Sequence, residues 1–307
     1  MTDPTLTEGS ARPSLCYLSV SYAADIERFA LLRHSMALFS SGIEHIVYVH
    51  TEDLGLFQRR FGQDRGVTIL PFADLLPTRL ERMRQFWRRF GRIIKDRIAW
   101  RFFLRVNFTG WKLQQIVKLL AATRVPHEAF VILDSDEFLC GRVTAEDFFD
   151  GSKLILLEAP AATYQSLAYE AYRQVLVGGW FSDRAECFQY IHTPRRFLRR
   201  TAERLLAHLE ATHRDWQREF IAAPLPSEYQ LLGWCARTLE GRDGYRLRSD
   251  PPEQWAYYAM NETDIEPTLA LCRAERGRRK FFVIQSNIGD FGYIPRARAL
   301  IEELAAL

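Results

Sequence analysis

Asp134, Ser135, Asp136 and Glu137 follow directly on four apolar residues, Phe130 to Leu133, in the stretch HEAFVILDSDEFLCG. Neighbouring carboxylates repel one another unless something positive lies among them. On an extended segment, residues two apart point to the same side, so Asp134 and Asp136 can converge on one ion. Hard oxygen ligands of this kind suit Mg2+ or Mn2+, which usually also binds the phosphates of a substrate. The apolar run reads as a buried strand, and in an open α/β sheet ligands sit beyond the carboxyl ends of the strands. The alternative is a solvated turn, with Asp134 capping whatever follows. A strand ending directly in the carboxylates favours the metal.

Such a strand needs a sheet around it. Residues 15–22 (LCYLSVSY) read as a first buried strand, and 25–39 as a helix with Asp25 placed to cap it. A second strand is expected over 44–51 and a third within 66–76. Strand, helix and strand at this spacing predict a parallel sheet with crossover helices. A helix over 109–125 leads into the strand at 129–133, and 153–159 is a further strand. From 164 to 240 the pattern is mostly helical, with one helix expected over 195–220 and another beginning near PSEYQLLGWCARTL. KFFVIQSN (280–287) is a late strand, and a last helix holds RARALIEELAAL. The expected organisation is a flexible 1–13 and one α/β domain over 14–307. Its weakest boundary lies near 160, between a sheet half (14–160) and a more helical half (161–307).

The totals set outer limits. The 307 residues, 48% hydrophobic and 26% charged, are globular values, and the net charge of +3 rules out a polycation. Five scattered cysteines form no CxxC pair, which argues against a zinc ribbon or disulfide framework and for reduced thiols in the cytoplasm. The first residues, MTDPTLTEGSARPS, lack the basic and then apolar pattern of a signal peptide. No apolar run approaches the ~18 residues needed to cross a bilayer.

Two enzyme classes place Asp-x-Asp after a strand. Phosphatases of the haloacid dehalogenase type usually carry Thr or Val two places further on, where this chain has Phe138, and no later Asp-Asp pair follows a strand. Glycosyltransferases of the GT-A fold place the motif after a nucleotide-binding sheet, as here. GWKLQQIVKL (110–119), FVILDSDEFL (130–139), PSEYQLLGW (226–234) and VIQSN (283–287) together resemble a family of bacterial GT-A-like proteins found among surface-polysaccharide genes. The similarity runs from about 15 to 290.

The resemblance implies a GT-A-like, Rossmann-type, mostly parallel sheet flanked by helices. Asp134 and Asp136 would bind Mn2+ or Mg2+ and bridge it to a nucleotide-sugar diphosphate. Ser19, Ser21 and Tyr22, at the end of the first strand, would lie at the nucleotide, with Ser135 beside the metal pair. Trp111, Lys112, Gln115 and Lys118 lie on the helix before the motif; Lys112 and Gln115 share a face and are placed to reach the donor. For Trp111 and the lysines, core packing and solvation are the competing explanation. Glu228 stands at a helix start, where a carboxylate opposes the dipole and where inverting enzymes of this fold keep the acceptor base. The chain departs from the pattern in lacking a late His ligand. Gln285, Ser286, Asn287 and Asp290 are the remaining oxygen donors there, while His50 and His192 read as structural.

Positive charge is concentrated in 79–105, where ten Arg or Lys face two acids; this local +8 leaves −5 (3 − 8) elsewhere. A basic helix with aromatic positions can lie on an anionic membrane surface, or it can be an ordinary amphipathic helix with arginines in water. Nucleic acid is not expected, since no reading module accompanies the arginines.

These features predict a cytoplasmic glycosyltransferase, peripheral on the inner membrane where its acceptor is a lipid-linked or polysaccharide glycan. The rivals are a nucleotidyltransferase, whose Gly-rich basic loop is missing from SVSYAADIERF, and a non-catalytic membrane- or glycan-binding protein.

Overall fold

The computed structural model describes residues 12–95, 110–160, 188–223, 225–285, 288 and 291–307. The flexible start expected over 1–13 therefore falls almost wholly outside the described residues, as do Thr109, Ser286, Asn287, Asp290 and positions 96–105 of the basic stretch.

Strands β1 (Leu15–Ser21), β2 (Glu44–Val49), β3 (Val67–Pro71) and β4 (Ala129–Ile132) lie parallel, with β1 between β2 and β4 and with β3 beyond β2. All seven positions of β1 are buried. A strand covered on both faces reads as a continuous apolar run, which is why this part of the sheet is plain in the sequence. Helices α1 (Ile26–Phe39), α2 (Leu54–Phe61) and α3 (Thr78–Lys95) follow the first three strands, and α4 (Gly110–Ala122) precedes β4 and packs against β1. The expected cap of α1 is not made: Asp25 ends a 3-10 turn and makes no side-chain capping bond.

The chain then leaves this sheet. Through 133–136 it crosses to β5 (Glu137–Leu139). Next come β6 (Phe149–Asp150), β7 (Lys153–Leu157), β8 (Ala159–Pro160) and β9 (Phe188–Gln189), then β10 (Arg195–Leu198). Here the structure corrects the helix expected over 195–220. Arg195–Leu198 is a strand antiparallel to β4, which it covers on its open side, and helix α5 runs only over Arg199–Thr212. The unpaired backbone edge of β4 outweighs the helical pattern of the arginine-rich run, because its buried N–H and C=O groups require partners. A separate α6 (Trp216–Ala222) follows, capped by Asp215, whose carboxylate accepts from the Arg218 N–H at 3.1 Å.

Helix α7 (Glu228–Trp234) begins on Ser227, whose hydroxyl accepts from the Gln230 N–H at 3.3 Å. Strands β11 (Tyr245–Arg248) and β12 (Ala256–Ala259), helix α8 (Glu262–Ala274), strand β13 (Phe281–Ile284) and helix α9 (Ile294–Ala305) complete the order. In a second sheet β13 lies between β12 and β5, parallel to the first and antiparallel to the second. The segment 133–136 is thus the bridge between two sheets, pinned on one side by Leu133 N–H to Leu18 O (3.1 Å) and on the other by Ile284 N–H to Asp136 O (2.9 Å). Among the described residues no helix is long and apolar enough to cross a membrane.

Candidate active site

In the large sheet β2 and β3 lie to one side of β1 and β4 to the other. The strand order reverses between β1 and β4, and the crevice beyond the carboxyl ends of such a pair is where open α/β sheets bind ligands. A cavity of about 660 Å³ opens there. Val20, Asp25 and Arg28 line it from the β1 side, and Asp134, Ser135 and Asp136 from the β4 side.

Both Asp134 oxygens are engaged. Lys118 Nζ lies 2.6 Å from Oδ1, while the Tyr229 hydroxyl donates to Oδ2 at 3.1 Å and Arg195 approaches it at 3.3 Å. Lys118 also reaches Glu228 Oε1 (3.1 Å) and donates to the Tyr229 hydroxyl (2.8 Å). Burial works to raise the Asp134 carboxyl, but Lys118 and Arg195 outweigh it and hold it down at about 2. Asp136 is the opposite case: burial, then the charges of Asp134 and Glu137, push it up to about 8 against the pull of Arg195 and Arg28. Burial also raises Glu137 against its pairing with Arg195. Two carboxyl groups of one motif are thereby driven apart by their surroundings.

One oxygen from each of Asp134, Asp136 and Glu137 lies within 4.8 Å of the others. Glu137 Oε1 accepts from Thr193 (2.7 Å) and from Arg195, whereas the buried Oε2 has no partner. An orphaned buried carboxylate oxygen beside a partly buried Asp136 is a hard donor set that suits a divalent cation. A carboxyl that retains its proton at neutral pH exchanges it for such an ion. The residues present fit the metal.

The structure brings Asp134, Ser135, Asp136, Glu228, Trp111 and Gln285 to this one cavity. The other expected donor residues sit elsewhere. Ser19 is fully buried, donating to Leu133 O at 2.6 Å and meeting His45 Nε2 at 2.8 Å. Ser21 is buried and accepts from Ser135 Oγ at 2.9 Å, while Tyr22 stacks on His50 with centroids 5.5 Å apart. On α4 the stripe facing the cavity is Trp111, Gln114 and Lys118, at i, i+3 and i+7. Lys112 is therefore one position round the helix, and its ammonium is buried on Ile221 O at 2.7 Å. Gln115 is buried too, but it serves the site indirectly: its Oε1 accepts from the Glu228 N–H at 3.2 Å and holds the start of α7.

Arg195 and Tyr229 are the residues that sequence reasoning missed. Tyr229 lay within the quoted PSEYQLLGW motif, directly after Glu228. Arg195 carried no signal, because its role depends on β10 being a strand that starts where β4 ends. His192, expected to be structural, lines the cavity.

Fold and site together define an α/β protein with an acidic cluster at the switch point of a mostly parallel sheet. The chain belongs to the family of unknown function DUF6492, whose model matches residues 14–287. A search of curated proteins finds no match. Among solved structures the chain is similar to mouse xyloside xylosyltransferase 1 in its apo form, with 10% identity and a TM-score of 0.45 over 91% of this chain and 100% of that one. It is also similar to the apo structure of the bifunctional glycosyltransferase WbbM, with 12% identity and a TM-score of 0.43 over 97% of this chain and 50% of that one. Likeness at this level carries no argument about chemistry.

Proposed function

We propose that the protein is a metal-dependent glycosyltransferase of the GT-A type, moving a sugar from a nucleotide donor to a glycan or lipid-linked acceptor at the cytoplasmic face of the membrane. The observation that carries the reading is the Asp134, Asp136 and Glu137 cluster beyond the carboxyl end of β4, whose two aspartates line a cavity with Lys118, Arg195 and Glu228. The sequence resemblance to GT-A-like proteins supports the same reading.

Asp136 and the free oxygen of Glu137 would hold Mn2+ or Mg2+, with Asp134 beside them. Such an ion, when bound, neutralises charge developing on a leaving diphosphate. Lys118 and Arg195 add fixed positive charge at the same place and need no reorganisation during the reaction. Gln285, which lines the cavity, supplies a further polar contact to phosphate or metal. Glu228, held at the start of α7 by Gln115, takes the acceptor proton as the sugar moves. Ser135 and Trp111 line the donor's approach, and Ser19, Ser21 and Tyr22 shape the strand end beneath it.

Hydrolysis of nucleotide sugars tests the reading, because water replaces a missing acceptor. Incubation with UDP-, GDP-, dTDP- and CMP-linked sugars should release the nucleotide from one of them faster with Mn2+ than with EDTA. Equal release under both conditions for every donor would contradict metal-dependent transfer.

A further inference from the structure

Residues of β12, α8 and the turn before β10 also line the cavity, and the proposed chemistry uses none of them. Two polar atoms there are buried without a satisfied hydrogen bond: His192 Nε2 and the Tyr258 hydroxyl, the latter approaching the Thr193 backbone without good geometry. Their rings meet edge to face at 6.4 Å, and both line the cavity. A buried polar group lacking its partner costs stability, so two on one wall call for an explanation. Burial, then Arg195, holds the His192 imidazole down at about 4, so at neutral pH it is an uncharged donor and acceptor. Glu253 adds a carboxylate to the same wall.

Apolar surface lines the same cavity. Trp111, Met260 and Leu271 line the cavity and remain 43%, 53% and 42% exposed. Large apolar side chains gathered at a cavity mouth mark a binding surface more than scattered ones do. Neutral hydrogen-bonding groups beside an aromatic and aliphatic rim match a ligand carrying hydroxyls on its edge and C–H bonds on its faces. A phosphate would seek the cationic side of the cavity, at Lys118 and Arg195. A purely apolar chain would leave His192 and Tyr258 unpaired.

We propose that His192, Tyr258 and Glu253, with Met260 and Leu271 in the same cavity, form a saccharide subsite that holds the acceptor sugar beside the carboxylates. This rests on the transferase reading for the word acceptor alone; saccharide binding stands by itself. His192 and Tyr258 bond ring hydroxyls, Glu253 accepts from another, and Met260 and Leu271 cover the C–H bonds of a sugar face.

Saturation-transfer NMR on the whole protein tests the subsite, with methyl glycosides of glucose, galactose, mannose and N-acetylglucosamine and with octyl glucoside as probes. Ring protons of at least one methyl glycoside should receive saturation. His192→Leu and Tyr258→Phe should each weaken that binding roughly fivefold, the worth of one neutral hydrogen bond. Tyr258→Phe removes only a hydroxyl, and unchanged circular dichroism verifies its fold. Three results would overturn the subsite: no transfer to any glycoside, transfer undiminished in both variants, or transfer confined to the alkyl protons of octyl glucoside. Nucleotide binding by the wild-type protein is a separate matter; a chain that takes glycosides but no nucleotide keeps the subsite and loses the transferase.

Discussion

Lys118 joins the two acids on which the proposed reaction relies. Its ammonium lies 2.6 Å from Asp134 and 3.1 Å from Glu228, and both partners keep it charged despite its burial. Removing one member of a buried ion pair leaves the others uncompensated, so Lys118→Met should destabilise the fold by on the order of 3 kcal/mol in chemical denaturation. A loss within ±0.5 kcal/mol, as for a surface substitution, would show that the pair is not structural. Glu228→Gln keeps the shape of its side chain but removes its basicity. Transfer should fall ~10²–10⁴-fold while donor affinity barely changes, since that is the usual worth of a general base. Normal turnover in that variant excludes Glu228 as the base. The places of Asp134 and Asp136 after a strand and of Glu228 at a helix start could be read in the sequence, because both ends advertise themselves locally. Arg195 could not, since it reaches Asp134 only through the pairing of two strands more than sixty positions apart in the chain.

Helix α3 carries the densest positive charge, and its described part is divided in character. Arg84 is buried in a bidentate pair with Glu52 (2.6 and 2.8 Å) and also meets Glu81, and Arg79 pairs with Asp215 at 2.6 Å. Leu80 is buried and Met83 packs on the core, whereas Phe86 is exposed. Part of the basic stretch therefore anchors the helix, and the membrane reading rests on the remaining charge. Replacing Arg88, Arg89 and Arg92 with Gln should weaken flotation with anionic vesicles and leave neutral vesicles unaffected. Added salt should act likewise, since surface charge is screened over ~8 Å at physiological ionic strength. Equal flotation on both lipids would remove the membrane from the account. Elements were legible in the sequence where burial was continuous, as in β1, β2, β4 and β13. They were lost where three or four residues gain their structure from a neighbour, as in β5, β10 and β12.

Across the whole molecule the site depends on how two sheets are locked together at 133–136. Beneath that bridge Arg33 reaches His45 Nδ1 at 3.2 Å, His45 Nε2 meets Ser19 Oγ at 2.8 Å, and Ser19 donates to Leu133 O at 2.6 Å, one residue before Asp134. This chain of bonds requires a neutral imidazole that accepts from Arg33 and donates to Ser19, and burial, then Arg33, holds its pKa well below the ordinary 6.5. Below pH 6.5 the unfolded chain takes up a proton that the folded one refuses, so this stabilisation is full above 6.5 and is lost as the pH falls. His45→Gln should be less stable than wild type at pH 7.5. That gap should narrow by roughly 1.4 kcal/mol per pH unit below 6.5 in urea denaturation. A gap constant from pH 7.5 to 5 would mean that His45 is not held neutral. The sequence offered Ser19 as a donor contact because it ends a strand; the three-dimensional chain of bonds makes it a brace for the carboxylates instead.

The most direct measurement of the central claim is calorimetric titration of UDP and GDP into the protein with Mn2+ or with EDTA, for wild type and Asp136→Asn. Among the described residues Asp136 makes no salt bridge, and Arg195 and Arg28 act on it only through their charge, so the substitution removes a ligand and leaves the Lys118, Arg195 and Asp134 network in place. One nucleotide should bind wild type far more tightly with Mn2+, and Asp136→Asn should lose this gain at an unchanged melting temperature. Equal Mn2+-dependent affinity in the two proteins, or no binding of either nucleotide under any condition, would contradict that claim.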